Sequence, residues 1–125
     1  MNNEREIVEG ISLIPAEAPG SHSYVFDGDD LTVVVDTGLQ SNAQRIREVL
    51  GGTPDLIINT HEHFDHIGGN KDFQDDTTIA AHRLSAVKMN HGDDEVLQCR
   101  ANKQDISGYK VHYWLQNNTL FDIGG

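Results

Sequence analysis

His61, His63, Asp65 and His66 crowd three imidazoles and a carboxylate into six consecutive positions of a chain with seven histidines in all. Imidazole nitrogen and carboxylate oxygen are the usual protein donors to Zn²⁺ and related divalent ions. A polar surface loop is the plain alternative, but it has no need of nearly half the chain's histidines. The stretch Thr60-His61-Glu62-His63-Phe64-Asp65-His66-Ile67-Gly68-Gly69 therefore reads as a metal centre. Zn²⁺, as one or two ions, is the expected occupant, with iron or manganese as alternatives. Such an ion lowers the pKa of its water to about 7, which makes a hydroxide nucleophile available at neutral pH. It also stabilises the oxyanion formed when that nucleophile attacks a carbonyl.

The elements around the stretch must position these donors. Pro54 to Asn59 reads as a short buried strand, an apolar run with β-branched residues bounded by turn formers. Alternate residues of an extended segment leave the backbone on one side, so His61 and His63 can converge on one ion. Asp65 and His66 follow at the expected start of a helical turn, where adjacent residues point about 100° apart. They more easily serve a second ion, or orient a water beside the first. Asp65 is thus both a metal-ligand and a catalytic candidate. Glu62 and Phe64 face away from the histidine pair, and Gly68-Gly69 lets the backbone pass close to the site and turn sharply.

The stretch resembles the signature of the metallo-β-lactamase superfamily, T-H-x-H-x-D-H-x-G-G. A second match lies upstream, where Leu31-Thr32-Val33-Val34-Val35-Asp36-Thr37-Gly38 resembles that family's strand ending in Asp-Thr-Gly. Between them Ser41 to Leu50 reads as a helix with Ser41 as N-cap, apolar positions at Ile46, Val49 and Leu50, and Gly51-Gly52 at its end. The resemblance implies an α/β fold, the first half of a four-layer αβ/βα sandwich, with residues 1–125 as one partial domain. It places Asp36 beneath the metal site, fixing its loop by hydrogen bonds. It also assigns His61 and His63 to a first metal and Asp65 and His66 to a second.

The variants in the motif narrow the choice. The family's diiron flavoproteins usually carry Glu where His63 stands, and the commonest subclass of secreted zinc β-lactamases lacks His66. Thioesterases, lactonases, persulfide-acting oxygenases and another β-lactamase subclass all share the pattern seen here. The resemblance implies a metal-dependent hydrolase of small esters, thioesters or lactones, an α-hydroxyacyl thioester first among them. A catalytically incomplete metal-binding half-domain, or a mononuclear iron oxygenase on the same fold, are the alternatives. The tail from Asn117 to Gly125 looks like the family's hairpin before its next metal histidine, and the remaining ligands of the family pattern are not found in this sequence.

Length and charge bound the rest. At 125 residues the chain is one domain or part of one. Runs such as Leu31 to Val35 and Leu56 to Ile58 are apolar at consecutive positions, which implies a sheet covered on both faces. A chain holding only half of the sandwich exposes an apolar patch, so a homo-oligomer or a complementing second half is the expected partner, besides a small-molecule substrate. The net charge of −11 disfavours nucleic acid and anionic membranes. One cysteine, Cys99, and a polar start without a signal-peptide core fit a cytoplasmic setting.

Other residues are assigned ordinary roles. His22 is expected to pack or face solvent, His82 to cap or face solvent, and His91, His112 and Trp114 to be structural. Further strands are expected at Ile7 to Pro15, Ser23 to Asp27, Thr77 to Ala81, Val111 to Leu115 and Thr119 to Ile123. Gly28-Asp29-Asp30 reads as a turn, Leu84 to Asn90 as a helix, and 95–103 as an ambiguous helical stretch.

Overall fold

The computed structural model describes residues 5–92, 97, 98, 102 and 110–124. Within them, a seven-stranded sheet runs in chain order from β1 to β7. The expected strand from Ile7 to Pro15 is in fact two, β1 (Arg5–Val8) and β2 (Ile11–Ile14). Gly10 breaks it, because at φ +82 it takes the left-handed conformation that only glycine adopts freely, and the chain reverses. β2 pairs antiparallel with β3 (Ser23–Asp27), and β3 with β4 (Thr32–Val35) through the expected Gly28-Asp29-Asp30 turn.

From β4 onward the sheet becomes parallel. β5 (Leu56–Asn59), β6 (Thr78–His82) and β7 (Tyr113–Leu115) each add in parallel to the strand before. Parallel neighbours require crossover connections, which here carry α1 (Asn42–Leu50), the short α2 (Phe64–Ile67) and α3 (Arg83–His91). Ser41 occupies the expected N-cap position of α1 without making a side-chain capping bond. Gly51, at φ +69, ends the helix as anticipated, its N–H donating to the Arg47 carbonyl.

The two faces of the sheet are unequally covered. Val25, Val34, Ile57 and Ile79 meet Ile46 of α1 and Met89 of α3 in the main core. On the other face the buried cluster shrinks to Val33, Leu56 and Ala80, bordered by half-buried Phe26, Ile58, Leu115 and Ile123. Tyr113 stands opposite Ala80 on that face and is 61% exposed. The side away from the helices is thus buried at its centre and open at Tyr113, with Phe26 and Ile58 half-covered.

The tail departs from expectation. Thr119 to Ile123 is no strand, because Thr119 spends its amide and hydroxyl on Gln116 in a turn. Among the described residues the tail beyond is held near its end: the Ile123 carbonyl accepts from Asp30 N at 2.9 Å and Leu31 N at 3.1 Å, and the Gly124 carbonyl from Asp29 N at 3.0 Å. The expected hairpin is likewise absent among the described residues. Gly28 makes this docking possible, since a Cβ there would stand 2.3 Å from the Ile123 carbonyl oxygen. Gly28→Ala is expected to undock the tail and cost about 1–3 kcal/mol of stability by overpacking, read from the urea unfolding midpoint.

The helix considered for 95–103 falls mostly outside the described residues, as does Cys99. Among the described residues, no helix is long and apolar enough to cross a membrane.

Candidate metal centre

Two neighbouring parallel strands end side by side, and the centre is built on their C-terminal ends, the end of open α/β sheets where ligands bind. β4 delivers Asp36-Thr37-Gly38, and β5 delivers Asn59-Thr60 and the histidine loop. Asp36 is 4% exposed and sits at φ +61, a left-handed conformation that a non-glycine residue holds only under constraint. The constraint is its carboxylate. Oδ1 accepts from Thr60 N at 2.8 Å, and Oδ2 accepts from the Thr60 hydroxyl at 2.7 Å and lies 2.8 Å from His66 Nδ1. Asp36 thus ties both ends of the histidine loop, the role the resemblance gave it.

The glycine pair brings the two loops together. Gly68 N donates to the Gly38 carbonyl at 2.7 Å, and Gly38 bridges to Ile67 in parallel register. A Cβ on Gly69 would lie 2.9 Å from Thr37 Cβ and 3.0 Å from its carbonyl oxygen, so the expected close backbone passage occurs at Gly69.

Beneath the loop lies a buried polar network that the sequence reading missed. Asn59 and Asn70 exchange side-chain amide hydrogen bonds at 3.2 and 2.7 Å, and the Thr37 hydroxyl donates to Asn70 Oδ1 at 2.8 Å. All three residues are buried. The signal was an asparagine closing an apolar strand and another directly after two glycines.

The three imidazoles are neighbours. The His61 and His63 ring centres are 5.0 Å apart and those of His61 and His66 are 4.0 Å apart. His66 therefore stands nearer His61 than His63 does, and it is also the imidazole that Asp65 approaches. With Nδ1 engaged by Asp36, His66 presents Nε2, which lies 3.5 Å from Asp65 Oδ2. A carboxylate behind an imidazole is the arrangement that orients metal-ligating histidines. Burial, then the neighbouring His66 and His63 rings, lower the His61 pKa below its ordinary value, against the opposing pull of Asp36 and Asp65. The lowered value favours neutral imidazole, the form that donates to metals.

These residues fit a divalent ion in donor chemistry and proximity. They do not yet converge: among the described residues, no three His, Cys, Asp or Glu side chains are gathered in a ligating arrangement. His61 Nδ1 instead lies 3.1 Å from the Thr60 hydroxyl.

Glu62 does turn away from the histidines, as expected, and reaches α3. Burial alone would raise its pKa, but hydrogen bonds from Ser85 and Lys88 together hold it below its ordinary value. The remaining histidines serve the scaffold. His22 Nδ1 accepts from Ala16 N at 2.9 Å, His112 Nδ1 from Ile79 N at 2.9 Å, and His82 Nδ1 caps α3 by accepting from Leu84 N at 3.3 Å. His91 lies in the last turn of α3. Trp114, expected to pack, is 49% exposed and bonds through Nε1 to the Val111 carbonyl.

Comparison with known proteins settles the lineage. The family model described as the metallo-beta-lactamase superfamily matches residues 17–125. The chain belongs to that superfamily. Members of the family bind metal ions, typically zinc. A probable metallo-hydrolase of Bacillus subtilis (strain 168) is 33% identical over 107 residues, covering 82% of this chain and 46% of that protein. A hydroxyacylglutathione hydrolase of Rhodospirillum rubrum is 29% identical over 104 residues, covering 73% of this chain and 41% of that protein.

Solved structures agree on the fold. A Cronobacter sakazakii metallo-beta-lactamase matches with TM-score 0.80 at 20% identity, covering 98% of this chain and 49% of that one. A subclass B3 metallo-beta-lactamase of Bradyrhizobium japonicum matches with TM-score 0.79 at 19% identity, covering 97% and 48%. At such identities the likeness concerns architecture alone. The chain spans about half the length of the curated relatives it matches, and it carries the first half of the family's fold.

Proposed function

We propose that this chain is the metal-holding half of a hydrolase that acts on small esters, thioesters or lactones. The observation that carries the reading is the histidine loop tied at both ends to Asp36, with the His63 and His66 rings 5.0 and 4.0 Å from the His61 ring. The names of both curated relatives, a metallo-hydrolase and a hydroxyacylglutathione hydrolase, support the hydrolytic class and favour an α-hydroxyacyl thioester.

His61, His63 and His66 would hold the ion, zinc by preference. When bound, zinc supplies a water that ionises near neutral pH and a positive centre for a developing oxyanion. Asp36 keeps the His66 ring oriented with Nε2 outward. Asp65, beside that nitrogen and 27% exposed at its side chain, either joins the ligands or takes the proton of the attacking water. The sheet face where Phe26 and Ile58 are half-buried and Tyr113 is exposed is where the remainder of the family's sandwich, or a second copy, would pack.

Turnover of a generic thioester and lactone panel, with and without a chelator, tests the proposal. Hydrolysis that the chelator abolishes and that Asp65→Asn lowers about 10²- to 10⁴-fold is the expected result. Binding of metal without any turnover favours the second reading, a metal-binding half-domain short of ligands, to which the absence of a converged donor trio among the described residues points. Turnover with iron and dioxygen but not with zinc would replace hydrolysis by oxygenation.

A further inference from the structure

Glu62 lies between the first two histidines, yet its carboxylate reaches out of the loop to α3. Oε2 accepts from the Ser85 hydroxyl at 2.7 Å, and Oε1 accepts from the Lys88 ammonium at 3.1 Å. The Glu62 side chain is 13% exposed and Lys88 42%, so solvent screens part of the ion pair and the Ser85 bond is the better shielded half of the contact. Ser85 and Lys88 are three residues apart and share one face of α3, so both donors meet one carboxylate without distorting the helix.

Asp36 fastens Thr60 and His66, the two ends of the loop. Its hold leaves the middle, where His61 and His63 stand, to a second anchor. We propose that Glu62 is a positioning residue for the centre: with Ser85 and Lys88 it pins the middle of the histidine loop to α3 and so sets the alignment of His61 and His63. This rests on the metal reading of that loop, and it makes α3, which supplies no ligand candidate among the described residues, part of the centre's support.

The test separates the latch from the metal reading. Amide exchange in the metal-free protein reports the loop through His66 N and Ile67 N, which donate to the His63 carbonyl at 3.0 and 3.2 Å. Glu62→Ala is expected to speed exchange at these two amides about tenfold while leaving Ile46 of α1 unchanged. Zinc affinity, read by competition with a chromophoric chelator, is expected to fall about 10- to 100-fold, as for other residues that orient ligands. Glu62→Gln, which still accepts from Ser85, should recover part of both effects, and Ser85→Ala should add less to Glu62→Ala than it costs alone. Exchange at His66 and Ile67 that stays at the wild-type rate, or that rises no more than exchange at Ile46, would overturn the latch. Failure of the metal reading looks different: the wild type takes up no zinc, or His63→Ala takes it up equally well, whatever the exchange rates show.

Discussion

Asp36→Ala is expected to remove about 2–4 kcal/mol of stability and to weaken metal binding about 10- to 100-fold. One carboxylate holds Thr60 N, the Thr60 hydroxyl and His66 Nδ1, all within 2.8 Å. Its removal leaves three polar groups without their partner at a site where Asp36 itself is 4% exposed. Thr60 is exposed and the His66 side chain 22% exposed, so water replaces part of what is lost and each group costs about 1 kcal/mol, the low end for an unsatisfied group. The backbone offers an internal control. Asp36 sits at φ +61, so alanine is strained there and glycine is not. Asp36→Gly should therefore be about 1 kcal/mol more stable than Asp36→Ala while losing as much metal affinity. Urea unfolding of the metal-free variants and chelator competition measure the two effects. If both variants unfold within about 1 kcal/mol of wild type, the carboxylate does not hold the loop.

Asn70→Leu is the second large effect, about 3–5 kcal/mol, because it strips partners from two other buried groups. Asn59 loses both of its amide bonds, and the Thr37 hydroxyl loses its 2.8 Å acceptor. The shape of the side chain is nearly kept, so the loss measures hydrogen bonding and not cavity formation. Replacing Asn59 and Asn70 together by leucine should cost less than the sum of the single changes, by about 1–3 kcal/mol, since the second change removes a group already orphaned by the first. Strict additivity would show that the two amides act independently, against the geometry.

The candidate centre could be picked out in the sequence because a metal site needs particular donor atoms at particular spacings, and His61, His63, Asp65 and His66 are donors of that kind. The central buried strands were legible for a similar reason: residues buried on both faces must be apolar in succession, as Leu56, Ile57 and Ile58 are. What supports the donors was harder to see. Asn59 and Asn70 lie eleven positions apart and are joined only when β5 and the turn after α2 fold together. The partnership of Glu62 with Ser85 and Lys88 likewise depends on where α3 returns after β6. Helix periodicity cannot report such a meeting. The tail misled for a different reason: its composition suits a strand, but a turn at Gln116 to Thr119 takes its first hydrogen bonds, and among the described residues it pairs with no strand.

The half-length match to the relatives and the thinly covered sheet face bear on the same question. The loop, the Asp36 anchor and the Asn59–Asn70 network are complete within the described residues, so ion binding is testable without the rest of the family's fold.

Calorimetric titration of metal-free protein with Zn²⁺, wild type beside His63→Ala, is the most direct measurement. The wild type should take up zinc saturably, and His63→Ala should bind it more than about 100-fold more weakly, beyond what loss of a merely orienting partner costs. A wild-type protein that takes up no zinc, or a variant that binds it just as tightly, would contradict the assignment of this loop as a metal centre.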